Sequence, residues 1–400
     1  EDRDRGDGAA ACGRRAMSRD VPVGGVCDPK FAAVEAAFRR NMADGDPACG
    51  EEVGACVSVV VEGETVVDLW GGYADAARTA PWRHDTITCM MSVTKSCAAV
   101  ALLTLVERGV VDLDAPVSDY WPAFSGNGKD GMSVRTLIAH RSGVIYADAA
   151  PEGSLWQDGI VERALEAAAP EWAPGTAGAY HSFTYGPLIN GLIRHADGRD
   201  VGEVWRDDVA DRFGIDFHIG LNDSEVARCA DYIETPGTPS RDGIKVNPDS
   251  PLFRAWAPLP KSEDFNSADF RRGIFASANG HGNARAIARL YGGLANGGDI
   301  DGRRLLSADL VTDAISEQWD DMDRMTNRHF RFGCGFMLSC PPFPFGGRRD
   351  NFGHTGIGGA IGFGDPDARL GFSYCGNRMA PIADTGPFAT PLIEAMYAAV

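Results

Sequence analysis

The sequence contains little lysine and little positive charge of any kind. Five of its 400 residues are lysine, and 38 Lys+Arg oppose 56 Asp+Glu, for a formal net charge of −18. Proteins that bind nucleic acid neutralise phosphates with clustered basic side chains, and this sequence has no basic run. The composition therefore excludes nucleic acid as a main partner.

Long apolar runs and paired cysteines are missing as well. No run reaches the roughly 18 apolar residues of a membrane span. Residues 1–16 are charged, rich in Gly and Ala, and lack the apolar core of a signal peptide, so we expect a disordered tail before a start at Met17. The ten cysteines form no Cys-x-x-Cys pair, which indicates free thiols. We expect a cytoplasmic protein that does not enter the membrane.

Three common enzyme motifs are also absent. No serine has glycine at both −2 and +2, which excludes the nucleophile elbow of α/β-hydrolases. The zinc motif His-Glu-x-x-His and the phosphate-binding P-loop do not occur either. Any nucleophilic chemistry must therefore come from a different arrangement of residues.

Strand patterns occur at both ends of the chain. With 44% hydrophobic and 24% charged residues, the composition is that of a globular protein. A hairpin is predicted around Glu62-Gly63-Glu64 and another around Asp365-Pro366-Asp367-Ala368. The residues between about 130 and 270 show helix and loop patterns without alternating strands.

This order of elements predicts an α+β fold. We expect an antiparallel sheet built from both ends of the chain, flanked by helices, with an inserted, mostly helical domain. The sheet domain is predicted to be discontinuous, over residues 17–120 and 272–400, and the helical domain to cover 121–271. The cleft between two such domains is a natural ligand site.

Ser92-Val93-Thr94-Lys95 opens a helix that is predicted to run to about Arg108 and to end at Gly109. Positions i and i+3 share one helix face, so the lysine amine can lie beside the serine hydroxyl. The helix dipole at this end stabilises a developing oxyanion, and the same field and burial lower the lysine pKa. The alternative is a capping serine with a partly exposed lysine, but this helix is apolar nearly all round, and an unpaired buried ammonium is costly.

The order of motifs around Ser92 is distinctive. The Ser-x-x-Lys element is followed by VRTLIAHRSGV at 134–144, by Tyr180-His181-Ser182, and by FGHTGIGGAIGFG at 352–364. This succession resembles the serine β-lactamase-like superfamily, specifically the family VIII carboxylesterases, which are similar to class C β-lactamases and D-alanyl-D-alanine peptidases. The resemblance runs from about residue 28 to the C-terminus.

The resemblance implies a role for each matching residue. Ser92 matches the acylated nucleophile and Lys95 its motif partner. Tyr180 matches the tyrosine of the Tyr-x-Asn element, which, as phenolate or through the lysine, takes the serine proton and returns it to the leaving group. His354-Thr355-Gly356 matches Lys-Thr-Gly, and the backbone N–H groups of Ser92 and Ile357 would form the oxyanion hole.

Two positions depart from the β-lactamase pattern. Ser182 stands where those enzymes have the asparagine that binds the substrate amide, and His354 replaces the lysine that binds its carboxylate. Histidine is mostly neutral at pH 7 and serine is short, which favours ester substrates. The substrate-binding set predicted from these elements is His354, Thr355, Gly356, His181 and Ser182.

Other residues are given structural roles. We expect His140 to hydrogen-bond backbone and hold a loop, and Cys89 and Cys97 to fill the core. Asp320, Asp321 and Asp323 are interpreted as a solvated acidic face and not as a metal cluster. Four tryptophans could line an acyl pocket, although packing explains them equally well: Trp82, Trp156, Trp172 and Trp256. No cofactor and no metal site are expected.

We therefore expect a carboxylesterase that acts on small-molecule esters of short to medium acyl chains. Three alternatives stay open at this point: an amide-cleaving relative (a β-lactamase, a D-amino-acid peptidase or an amide-oligomer hydrolase), an acyltransferase, and a catalytically silent binding protein. The sequence leaves the acyl and alcohol specificity, the stereochemical preference and a homo-oligomeric state undecided.

Overall fold

The computed structural model describes residues 21–47, 49–234, 250–260, 264–380 and 384–400. The expected tail at 1–16 and the expected start at Met17 lie outside these ranges. The strands are β1 (Val23–Cys27), β2 (Gly54–Val61), β3 (Glu64–Gly72), β4 (Thr88–Cys89), β5 (Phe217–His218), β6 (His281–Gly282), β7 (Asp299–Ile300), β8 (Arg303–Arg304), β9 (Trp319–Met322), β10 (His329–Phe332), β11 (Met337–Leu338), β12 (Phe352–Thr355), β13 (Ile361–Asp365) and β14 (Leu370–Gly376).

The helices within the same ranges vary from single turns to four turns. They are α1 (Ala32–Asp44), α2 (Val93–Glu107), α3 (Val117–Tyr120), α4 (Val134–Ile138), α5 (Ile160–Ala167), α6 (Tyr185–Asp197), α7 (Val201–Trp205), α8 (Asp211–Phe213), α9 (Asp223–Val226), α10 (Pro251–Ala255), α11 (Ala268–Arg272), α12 (Ala284–Ala295), α13 (Ala308–Ala314) and α14 (Gly386–Tyr397). None of these helices is long and apolar enough to cross a lipid bilayer.

The main sheet joins the two ends of the chain. Among the described residues it has nine strands in the order β1-β3-β2-β14-β13-β12-β11-β10-β9, and every neighbouring pair is antiparallel. The junction is the pairing of β2 with β14, in which Ser58 lies opposite Ser373. The predicted α+β fold, with an antiparallel sheet built from both ends of the chain, is confirmed.

Both predicted hairpins are present. Between β2 and β3 the two-residue turn is formed by Glu62 and Gly63, with φ of 52° and 86°, the left-handed backbone that such turns require. Between β13 and β14, Asp365 accepts a hydrogen bond from the Ala368 N–H at 3.0 Å and closes the turn. Local turn chemistry thus sets the register of both strand pairs.

Helix α2 is the central helix of the fold, as its apolar sequence predicts. Every side chain from Val93 to Leu105 is buried, and the helix packs against α6, α7 and β12. It ends at Glu107, and Gly109 takes a left-handed φ of 70° just beyond. This packing fixes the N-terminus of α2, where Ser92 lies, beside the end of β12.

The segment between the two halves of the sheet is mainly helical and contributes α4 to α11. The sequence shows no strand pattern here, yet Phe217–His218 forms β5 and joins β4 and β6 in a small three-stranded sheet. Two residues are too few for an alternating pattern, which is why the sequence does not reveal this strand. The division into two domains stays a prediction.

Candidate active site

Ser92 and Lys95 are adjacent at the N-terminus of α2. Ser92 is the residue that precedes the helix, and Lys95 Nζ lies 3.1 Å from its Oγ. The amine also donates to the carbonyl oxygen of Ser277 at 2.7 Å. Lys95 is 1% exposed, and no carboxylate among the described residues lies within ion-pair distance of it. Burial therefore lowers the pKa of the Lys95 ammonium well below its ordinary value.

The turn that presents Ser92 is strained and braced. Met91, just before Ser92, has a left-handed φ of 46°, a conformation that a non-glycine residue adopts only when its surroundings impose it. Thr94 stabilises this turn, because its hydroxyl donates to the Met91 carbonyl at 2.5 Å and accepts from the Gly280 N–H at 2.9 Å. Thr94, within the Ser-x-x-Lys motif, thus has a structural role of its own.

Tyr180 lies next to Lys95. Its ring centroid is 4.8 Å from Lys95 Nζ, and its ring stacks on Phe330 at 5.5 Å. Burial raises the pKa of the Tyr180 phenol above its ordinary value, interaction with the nearby Ser92 side chain opposes this rise, and the charge of Asp323 adds to it. The structure thus brings Ser92, Lys95 and Tyr180 together.

Asp323 departs from its predicted place on a solvated acidic face. Asp320 and Asp321 are exposed as expected, but Asp323 is 2% exposed. One carboxylate oxygen accepts from the Tyr180 backbone N–H at 2.6 Å, and the other accepts from the Thr326 N–H at 2.6 Å and from the Thr326 hydroxyl. Three donors around one buried carboxylate explain its burial, and they anchor the segment that carries Tyr180.

Replacing Asp323 with alanine is expected to lower kcat about tenfold with little change in KM, because Tyr180 loses its anchor while the cavity keeps its walls. The melting temperature should also fall, since three donors lose their acceptor. Ester hydrolysis and thermal unfolding of the variant measure both effects. Asp321→Ala, which removes an exposed carboxylate two residues away, should change neither quantity. An unchanged kcat in Asp323→Ala would show that the anchor is dispensable.

The two histidines behind Tyr180 support its segment. His140 Nδ1 accepts from the His181 backbone N–H at 3.0 Å, so His140 holds backbone as expected. The His181 ring is bonded at both nitrogens, to the Ser142 hydroxyl at 2.5 Å and to the Ala179 carbonyl at 2.6 Å. His181 is buried and is not among the residues that line the cavity, and its contact with substrate stays a prediction.

His354 and Thr355 end β12 beside Ser92, and both line the cavity. His354 Nδ1 bonds the Thr355 carbonyl at 2.7 Å, and its buried Nε2 has no partner among the described residues. Burial lowers the pKa of His354 to about 3, so the ring is neutral at pH 7. Gly356 is needed for close packing, because a Cβ there would lie 2.4 Å from the Met90 carbonyl oxygen.

Two backbone donors near Ser92 are unused. In the described part of the chain, the N–H groups of Ser92 and Ile357 donate no hydrogen bond, although Ile357 belongs to the wall of the cavity that contains Ser92. Buried or cleft N–H groups are normally paired, so unpaired ones fit donors kept for a ligand oxygen. That the N–H groups of Ser92 and Ile357 form an oxyanion hole stays a prediction.

A cavity of about 170 Å³ opens onto Ser92, and its walls are mainly apolar. Of the four tryptophans considered from the sequence, Trp256 lines it; Trp82, Trp156 and Trp172 do not. The lining residues are Met91, Ser92, Tyr180, Ser182, Leu252, Trp256, Leu259, Phe265, Ala278, Thr326, Arg328, Phe330, Met337, Phe343, His354, Thr355, Ile357 and Met379. Cys89 and Cys97 are buried in the core, as expected.

One cluster of metal-ligating side chains occurs in the described ranges, away from this cavity's lining. Ligand atoms of Glu162, Glu166 and His195 lie within 4.8 Å of one another. These groups already pair: His195 bonds Glu162 at 2.9 Å, and Glu166 accepts from the Trp121 indole N–H at 2.8 Å. The cluster is thus accounted for as an ion pair on the surface of α5 and α6.

The antiparallel sheet, the central helix and the Ser92–Lys95–Tyr180 cluster together define a serine hydrolase of β-lactamase-like fold. The sequence model described as Beta-lactamase matches residues 35–390. The chain belongs to this family, as the resemblance predicts.

Known proteins similar to the chain include an esterase and a carboxylesterase. The protein named Esterase/beta-lactamase LipL of Mycobacterium tuberculosis is 33% identical over 92% of this chain and 86% of its own. The crystal structure of a family VIII carboxylesterase is 35% identical with a TM-score of 0.85, covering 95% of this chain and all (100%) of the other. A penicillin-binding protein homologue from Caulobacter crescentus is 36% identical, with the same TM-score of 0.85 and the same coverage of 95% and 100%.

Proposed function

We propose that this protein is a carboxylesterase that hydrolyses uncharged esters through an acyl-enzyme on Ser92. The observation that carries the proposal is the Lys95 amine, buried without a counter-ion and 3.1 Å from the Ser92 hydroxyl at the mouth of an apolar cavity. Esterase names among its relatives support the same reaction class. A buried amine in this state is a base, and the adjacent hydroxyl is the group it can activate.

Acylation begins with a proton transfer from Ser92 to Lys95. Burial lowers the pKa of the Lys95 ammonium well below its ordinary value, which favours the neutral amine, whose lone pair can accept the serine proton. Ser92 Oγ then forms a bond to the ester carbonyl carbon, and the carbonyl oxygen becomes an oxyanion. The unpaired N–H groups of Ser92 and Ile357 are the donors proposed to stabilise it.

Tyr180 is proposed to return a proton to the leaving alcohol. Because its pKa is raised, the phenol is protonated at neutral pH and acts as a donor; the phenolate alternative is disfavoured. The bond from the carbonyl carbon to the alcohol oxygen breaks as the phenol donates, and Lys95 reprotonates Tyr180. Water then attacks the acyl-enzyme by the same path and releases the carboxylic acid and free Ser92.

The two departures from the β-lactamase pattern support esters over carboxylate-bearing amides. A neutral His354 supplies no positive charge for a substrate carboxylate. The hydroxyl of Ser182 already accepts a hydrogen bond from Trp256, which leaves it less able to hold a substrate amide. An alcohol also leaves with less protonation than an amine, so the site needs less acid catalysis for an ester.

A second candidate reaction is β-lactam hydrolysis, and one residue favours it. Arg328 lines the cavity, and its guanidinium lies 3.8 Å from the Asp384 carboxylate. A guanidinium can bind the carboxylate of a β-lactam. Nitrocefin and p-nitrophenyl butyrate, compared on one preparation, separate the candidates: we expect kcat/KM for the ester to exceed that for nitrocefin by about 100-fold.

Labelling with a fluorophosphonate tests the acyl-enzyme proposal directly. The serine oxygen forms a bond to phosphorus as fluoride leaves, and intact mass with peptide mapping locates the adduct. We expect one adduct, on Ser92, that is absent in Ser92→Ala and slowed at least about 100-fold in Lys95→Ala. Ser316→Ala, which removes an exposed serine, should label like the wild type. An adduct on another residue, or none on folded protein, would refute the assignment.

A further inference from the structure

Trp256 is held rigidly above the position that replaces the amide-binding asparagine. It follows α10, a short helix that Ser250 caps and Pro251 begins. Its indole packs edge-on against Phe183 and Phe275, with ring centroids 6.2 Å away in both cases. Its N–H donates a hydrogen bond to the hydroxyl of Ser182. The contacts with Phe183, Phe275 and Ser182 together hold the indole in one orientation.

This hydrogen bond changes what Ser182 can offer a substrate. Ser182 is 4% exposed, and its neighbour in the cavity wall is the indole itself. An asparagine amide presents both a donor and an acceptor, whereas a serine hydroxyl that accepts from an indole has one proton and one lone pair left. Within the described ranges, Trp256 is the one residue that hydrogen-bonds this hydroxyl.

Apolar side chains that line the same cavity as Trp256 include Leu252, Leu259, Phe265, Ala278 and Met379. An amide group that packed against these side chains would lose its water and find no hydrogen-bond partner on them, which is unfavourable. A methylene chain or an aromatic ring of the same length has no hydrogen bonds to water to lose, and it would bury apolar surface.

We infer that Trp256, fixed by its hydrogen bond to Ser182, makes the site select esters whose acyl group is apolar and reject acyl groups that carry an amide. The inference rests on the proposed ester hydrolysis and adds its substrate class: esters of simple aliphatic or aromatic carboxylic acids. Trp256 is a specificity-determining residue in this scheme and takes no part in proton transfer.

A matched pair of substrates measures this selection. p-Nitrophenyl pentanoate and p-nitrophenyl N-acetylglycinate have acyl chains of equal length and the same leaving group, and only the second carries an amide. The quantity to compare is the ratio of their kcat/KM values, because intrinsic reactivity cancels between variants. In Trp256→Phe/Ser182→Asn, which removes the indole donor and supplies a free amide, the ratio should shift toward the acetylglycinate by about tenfold to a hundredfold.

Trp156→Phe is the matched control. Trp156 packs edge-on against the same Phe275 at 6.4 Å but does not line the cavity. The ratio of the two kcat/KM values in Trp156→Phe should therefore stay at the wild-type value. Ser182→Asn alone should shift the ratio in the same direction by a smaller factor. This single variant tests the inference even if Trp256→Phe destabilises the protein. An unchanged ratio in folded, active variants would overturn the inference. Wild-type protein that cleaves neither ester would overturn the proposed function, a different result.

Discussion

Lys95→Ala is expected to lower kcat for p-nitrophenyl butyrate by about 10³ and to leave KM within about threefold. The variant loses the base that activates Ser92, while the cavity walls that bind the ester stay in place. Because the amine acts in the transition state and not in ester binding, the loss should fall on kcat. Steady-state kinetics on folded variant measures both constants.

The dependence of activity on pH should show the same role of Lys95. Only the neutral amine can accept the serine proton, so activity should rise with pH as the Lys95 ammonium loses its proton, and then stay level. Burial lowers that pKa well below its ordinary value, so the rise should occur at a pH well below the one at which an exposed lysine loses its proton. The nearby rings of His140 and His354 are neutral at pH 7 because burial lowers both pKa values, and they add no step near neutrality.

Two lysine variants make the test specific. Lys95→Arg keeps a cation that does not lose its proton, so it should be inactive across the whole pH range. Lys129→Ala removes another buried lysine, whose ammonium donates to the carbonyls of Glu166 and Ala168; it should lower the melting temperature and leave the pH profile unchanged. Wild-type activity that keeps rising up to about pH 10 would mean that Lys95 is protonated at neutrality, which contradicts the proposed mechanism.

The local parts of the site could be predicted from the sequence. Ser92 and Lys95 stand three positions apart on an apolar helix, and helix periodicity alone brings their side chains together. The hairpin at Glu62-Gly63 follows equally from local turn chemistry. Tyr180 and His354 are distant in sequence from Ser92, and no local pattern links them. The resemblance assigns both, because their approach depends on tertiary packing: α2 packs against β12, which carries His354, and against α6, which begins five residues after Tyr180.

Residues whose role depends on tertiary burial could not be predicted. Asp323 belongs to a run of acidic residues, and no feature of that run distinguishes the one that is buried by three donors from its exposed neighbours. The sequence has eight tryptophans, and only the packing of α10 brings Trp256 to Ser182. His181 is the reverse case: adjacency to Tyr180 in sequence suggests the cavity, whereas its ring turns toward Ser142.

Glu52 is expected to make the protein less stable as pH rises from about 4.5 to 7. It is buried just before β2, where its carboxylate accepts a hydrogen bond from the Tyr374 phenol and a Cβ at Gly376 would come within 2.9 Å of Oε1. Burial raises the pKa of Glu52 from 4.5 to about 7, despite the opposing effects of Tyr374 and Arg378. Across this window the unfolded chain has released the proton that the folded chain still holds, which costs about 3 kcal/mol of stability by pH 8.

Glu52→Gln should remove this pH dependence, because an amide of the same shape does not ionise and can still accept from Tyr374. The free energy of unfolding in urea, measured at pH 5 and pH 8, should rise relative to the wild type by about 3 kcal/mol more at pH 8 than at pH 5. Glu51→Gln, at an exposed position paired with Arg78, should show no such difference between the two pH values. Equal effects of Glu52→Gln at both pH values would mean that Glu52 is ionised in the folded protein throughout this window. The buried side of β2 would then have to stabilise a full charge, and Arg378, the cation that acts on Glu52 among the described residues, offsets only part of the cost of burial.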